Sequence, residues 1–218
     1  MFFSVGFISA GAAGTPLVSV TLATFADPSP NSSNYLFKVD FTQMKITGGW
    51  TDDNPGLTLE IPCSNYTVEN GNAFQNAWFE MTVVNITSAY TMFGQTDAGI
   101  INFYENGTTT DPLVIINFES GTVSRYGLGA NEIFTANNVT ITGSEIPSPI
   151  SNEQFSFAFA NLAKLPGHTN WTDGFTATAA FTSSAVVPEP ATVCLLGLGA
   201  LSLISRKKQR RSKSASGR

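Results

Sequence analysis

The chain has little cysteine, little histidine and, over most of its length, little positive charge. Cys63 and Cys194 are its two cysteines. Cys194 lies in an apolar run near the C-terminus and Cys63 in the body, so no internal disulfide is expected. Cys63 reads as a small buried residue, with a reactive or lipidated thiol as the alternative. The single histidine, His168, stands in Pro166-Gly-His-Thr-Asn-Trp171. No other His and no second body Cys accompanies it, which argues against zinc. No Gly-x-Ser-x-Gly elbow is present, which argues against a Ser-His-Asp hydrolase.

Charge is partitioned along the chain. Before Ser205 the only basic residues are Lys38, Lys45, Arg125 and Lys164, against all sixteen Asp and Glu, a net charge of −12. Such a body repels phosphate backbones, so nucleic acid is excluded as a partner. The other seven Lys and Arg follow Ser205. The body also lacks a twelve-residue amphipathic helical pattern and any repeat of fixed period.

The body does contain short alternating segments rich in β-branched and aromatic residues, separated by Asn, Gly, Asp, Pro and Ser. Val18 to Phe25 places Val18, Val20, Leu22 and Thr24 on one face. Tyr35 to Thr47 reads as one strand that Gly48-Gly49 breaks. Gly56 to Ile61 stops at Pro62. Ala77 to Thr87 sets Phe79, Met81 and Val83 opposite Trp78, Glu80, Val84 and Ile86. Gly99 to Glu105 and Leu113 to Glu119 flank Asn106-Gly-Thr-Thr-Thr-Asp-Pro112, a hairpin connection. Asn138 to Thr142, Gln154 to Leu162 (Phe155, Phe157 and Phe159 inward) and Gly174 to Ser183 complete the set. The expectation is an all-β protein, an antiparallel β-sandwich of jelly-roll-like form over residues 15–183, with seventeen Phe available for its core.

Residues 1–14 read as a partial or weak signal peptide: apolar, with small residues at Ala10 and Ala12, but without a basic start. Cleavage is expected near Ala12 to Gly14.

Residues 184–218 are of another kind. Pro188-Glu189-Pro190 precedes an uncharged apolar run, Ala191 to Ser205, and then a basic cluster of Arg206, Lys207, Lys208, Arg210 and Arg211. The prolines favour a helix start near Ala191. Fifteen helical residues rise about 22 Å, against about 30 Å of hydrocarbon, so a single short transmembrane helix is expected to act as a membrane anchor. The basic cluster retains its own side in the cytoplasm and leaves the body outside. Motif, apolar run and basic cluster in this order resemble the PEP-CTERM sorting signal of bacterial envelope proteins. The resemblance implies recognition of Pro188, Glu189 and Pro190 by an exosortase, a membrane-embedded enzyme that cuts near the motif. It further implies export, transient anchoring, and a final place at the cell surface or outside the cell.

Candidate sites in the body are sparse. Asp52, Asp53 and Asn54 offer oxygen ligands for Ca²⁺, but Asp-Asn-Pro-Gly is also ordinary turn chemistry. Trp50 and Trp171 fall at turns, where an exposed ring would stack on sugar, although core burial is the commoner fate of Trp. Glu60 and Glu80 are a carboxylate pair to consider for glycoside hydrolysis, although spacing alone does not support one. Asn-x-Ser/Thr triplets begin at Asn31, Asn65, Asn85, Asn106, Asn138 and Asn170, and read as strand and turn composition. The expected function is therefore a structural or adhesive protein of the envelope or extracellular matrix, without catalysis and without a cofactor. A secreted carbohydrate-binding module, Ca²⁺-dependent or not and directed at extracellular polysaccharide, is the alternative. A secreted hydrolase ranks third.

Overall fold

A computed structural model describes residues 17–26, 35–53, 56–62, 72–90, 93–131 and 138–188. The signal segment 1–14, Cys63, Asn54, and the tail beyond Pro188, with its expected helix, lie outside the described residues. The chain divides into two compact units, residues 19–187 and the two chain ends. The first is the β-domain.

Thirteen strands form one antiparallel sheet among the described residues. They are β1 (Leu17–Phe25), β2 (Phe37–Asp40), β3 (Lys45–Trp50), β4 (Leu57–Ile61), β5 (Asn72–Tyr90), β6 (Phe93–Thr96) and β7 (Gly99–Tyr104). β8 (Val114–Phe118), β9 (Gly121–Ser124), β10 (Gly127–Asn131), β11 (Val139–Thr142), β12 (Ser151–Lys164) and β13 (Gly174–Pro188) follow.

Two long strands organise this sheet. β5 carries β3 and then β4 along one edge, and β6 and then β7 along the other. β13 carries β12 along one edge, and β2 and β1 along the other. The order β5-β3-β2-β13-β12-β10-β9-β6 returns to β5, so eight strands close a hydrogen-bonded ring. β7, β8 and β11 extend from β5 as a branch, and β4 with β1 forms a second bridge from β5 to β13. The antiparallel all-β expectation holds, and its opposed walls belong to a single continuous sheet.

Phenylalanine fills the interior. Phe79 of β5 meets Phe157 of β12 across the core at 5.7 Å between ring centroids. Phe103 of β7 meets Phe181 of β13 at 4.8 Å, and Phe37 of β2 meets Phe157 at 4.8 Å. Offset and edge-on rings at these distances add to area burial.

Four local readings change. Tyr35 to Thr47 is not one strand: residues 41–44 turn, and β2 and β3 form a hairpin. Gly48-Gly49 does not break β3 but lies inside it, because a Cβ at Gly48 would stand 2.8 Å from the Phe37 ring. On β5 the inward set is Phe79 and Met81, then Val84 and Ile86. A bulge opposite the step from Ile46 to Gly48 shifts the alternation, and Val83 turns outward, 58% exposed. β13 also continues through residues 184–187, where sequence suggested the start of the tail, and Val186 pairs with Ser151.

Candidate functional site

The ring consists of four hairpins side by side: β2–β3, β5–β6, β9–β10 and β12–β13. The joined ends of these hairpins lie at one end of the domain, and β13 begins there and runs to the opposite end, finishing at Pro188. Each described turn is fixed by its own side chains.

The first turn depends on Asp40, which is 5% exposed. Its Oδ1 accepts from the Thr42 hydroxyl at 2.7 Å, the Gln43 amide at 2.9 Å and the Thr42 amide at 3.1 Å. Lys38 Nζ lies 3.7 Å from Oδ2. Burial by itself would raise the Asp40 carboxyl. The Thr42 hydroxyl, the Gln43 amide, Lys38 and the Thr42 amide together outweigh it and hold the group below its ordinary value.

The β9–β10 turn is Arg125-Tyr126. The Tyr126 amide donates to Ser124 Oγ at 3.1 Å, and its carbonyl accepts from the Phe159 amide at 2.9 Å. The backbone is thus held on both sides while the Tyr126 residue is 87% exposed. Arg125 places its guanidinium 4.7 Å from the Trp171 ring centroid, joining this turn to the β12–β13 loop. In that loop His168 Nδ1 lies 3.2 Å from Asp173 Oδ2. Phe93, which opens β6 and pairs with Ser124, is 42% exposed.

The residues singled out by sequence do not assemble elsewhere. Trp50 is a correction: it is 4% exposed and belongs to the core, because β3 carries it inward opposite Phe79. Its ring offers no stacking platform. Trp171 is partly buried against the core and covered by Arg125. Asp52 and Asp53 border a shallow groove with Tyr35, Trp50 and Glu80, and the Trp78 indole N–H donates to Asp53 Oδ1 at 3.4 Å. Glu60 borders a different groove of about 600 Å³, so Glu60 and Glu80 do not face a common space. No group of three His, Cys, Asp or Glu that could hold a metal ion occurs among the described residues. Asn85, Asn106, Asn138 and Asn170 are exposed; Asn31 and Asn65 lie outside the described residues.

Sequence reasoning missed Asp40 and Tyr126. Asp40-x-Thr42 is a side-chain-to-backbone turn signal that the surrounding alternation concealed. Tyr126 had only Gly127 beside it as a mark of a turn.

The fold defines a closed antiparallel β-domain with side-chain networks at its hairpin turns. Residues 186–211 match the family model of the PEP-CTERM protein-sorting motif, which marks a secreted protein sorted by an exosortase. No curated protein and no solved structure matches the chain. The matched span begins on the last residues of β13 and takes in Pro188, Glu189, Pro190 and the basic cluster from Arg206 to Arg211. No helix among the described residues is long and apolar enough to cross a membrane, and the apolar run 191–205 lies outside them.

Proposed function

We propose that the chain is an exported structural or adhesive protein of the cell surface or extracellular matrix, held briefly at the membrane by its tail and without catalysis of its own. The observation that carries this reading is the sorting-motif match at residues 186–211, which begins on the end of the last strand of a Phe-packed β-domain. The exosortase removes or exchanges the tail, and the β-domain is what remains on display. Support for a non-catalytic role comes from the dispersal of the candidate groups: His168 pairs with Asp173, and Glu60 and Glu80 border separate grooves.

Intact mass of the mature protein, taken from host cells with and without the sorting enzyme, tests the reading together with labelling by a membrane-impermeant reagent. Loss of Arg206 to Arg218 only when the enzyme is present, with surface labelling, is expected. Mature protein that keeps Arg218 in the presence of the enzyme, or that escapes labelling, would refute it.

A further inference from the structure

The four Lys and Arg of residues 19–187 are not scattered over the β-domain. Lys38 and Lys45 flank the β2–β3 turn, Arg125 lies in the β9–β10 turn, and Lys164 is the last residue of β12. His168 is in the loop that follows. Every basic side chain of an acidic domain therefore sits on the hairpin-turn end. The carboxylates of these turns are Asp40 and Asp173. Asp40 is turned into its own hairpin, and Asp173 is engaged with His168. Asp97 lies level with Lys45, since its amide donates to the carbonyl of Asn85, the register partner of Lys45; the remaining described Asp and Glu lie along the strands and the other loops. The domain is polar along its length, with its positive groups at one end.

Of the three exposed aromatic residues among those described, Tyr126 and Phe93 lie at the same end; Tyr35 precedes β2, away from it. Tyr126 projects from a turn whose backbone is fixed, with Phe93 two strands away in the ring, on β6 beside β9. An exposed ring on the same end as the cations suits a ligand that offers apolar C–H faces and negative charge together. Sugar rings bearing carboxylate groups have both. Nucleic acid has both as well, but its denser charge is repelled by the acidic remainder of the domain.

We infer that the hairpin-turn end binds an acidic polysaccharide, with Tyr126 stacking on a sugar ring and Lys45, Lys164 and Arg125 drawing its carboxylates. The inference deepens the reading of a displayed, non-catalytic protein and rests on it. It gives the adhesive role a ligand class and places contact on the end of the domain opposite the exit of β13.

The test uses the full chain in detergent micelles, purified from cells lacking the sorting enzyme, with alginate as the polyuronate probe. Dextran is the neutral control, and duplex DNA the competing polyanion. Alginate is expected to bind, and to bind less well between about 50 and about 300 mM NaCl as the charges are screened. Tyr126→Ala, which removes an exposed ring and little packing, is expected to weaken binding about tenfold. Lys45→Glu with Lys164→Glu, both at exposed positions, is expected to abolish the salt dependence without changing the melting temperature. Equal binding of dextran and alginate, preference for DNA, absence of alginate binding, or unchanged binding by both variants would each overturn the inference. Shortening of the alginate chains or failure of surface labelling would count instead against the reading on which it rests.

Discussion

Asp40 offers the sharpest quantitative test of the fold, because one carboxylate decides whether residues 35–50 run straight or reverse. It is nearly buried and accepts three hydrogen bonds within three residues of itself. Bonds to a charged acceptor contribute about 1.5–3 kcal/mol, against about 0.5–1.5 kcal/mol for neutral pairs, and burial of the carboxylate offsets part of the gain. Asp40→Asn keeps an acceptor oxygen but loses the charge, and is expected to cost about 1–2 kcal/mol. Asp40→Ala loses every bond and is expected to cost about 3 kcal/mol. The carboxyl titrates below its ordinary value in the folded protein. Its stabilisation is therefore complete above the unfolded-state pKa and is lost as pH falls through the folded one. Urea titrations of wild type and Asp40→Asn at pH 7 should show the full gap. The gap should close as pH falls through the folded-state pKa, where wild type also comes to carry a neutral acid. Equal stability at pH 7, or a gap that persists unchanged in acid, would refute the account of the turn.

Three further outcomes are expected. Phe157→Ala removes a fully buried ring that touches Phe25, Phe37, Phe79, Phe155 and Phe181, and should lower stability by about 3–5 kcal/mol in chemical denaturation. Gly48→Val puts branched carbon where a Cβ alone already lies 2.8 Å from the Phe37 ring; a cost of about 1–3 kcal/mol is expected despite the better strand propensity of Val. Ser183, 1% exposed, accepts from the Ala23 amide at 3.2 Å and donates to the Ala23 carbonyl at 3.3 Å. Ser183→Ala should cost about 1–2 kcal/mol, and hydrogen exchange should show faster exchange at Ala23 than at the β12–β13 ladder.

The strands that sequence revealed are those with one face buried and the other wet. The β7–β8 hairpin, β4, β11 and the Phe155–Phe157 stretch of β12 alternate because neighbours cover a single side of each. β6, β9 and β10 escaped notice because their sequences are short and rich in small residues. Gly127 and Gly129 are there because β12 carbonyls, Phe157 O and Phe155 O, lie where a Cβ would go. Such close approach leaves no apolar period to read. The β2–β3 hairpin was concealed for another reason: its turn contains neither Gly nor Pro, and Met44 takes a φ of 53° that only the completed hairpin explains. Trp50 stood among the stacking candidates because the two glycines before it suggested a turn, and its burial is the commoner fate of Trp. Of the candidate site, the sorting motif was fully legible, being contiguous. The hairpin-turn end was not, because its cations and aromatics are far apart in the chain and meet only through ring closure.

Ring closure has a further consequence for contacts between copies of the domain. An open sheet presents a row of unpaired amides and carbonyls on which another chain can template. Here, among the described residues, eight strands find both neighbours within the molecule, and β11, four residues long, ends the one branch that does not return. Such a domain is guarded against fusing with a second copy strand by strand. Contacts between copies are then left to side chains, which dissociate, rather than to backbone ladders that grow into fibres.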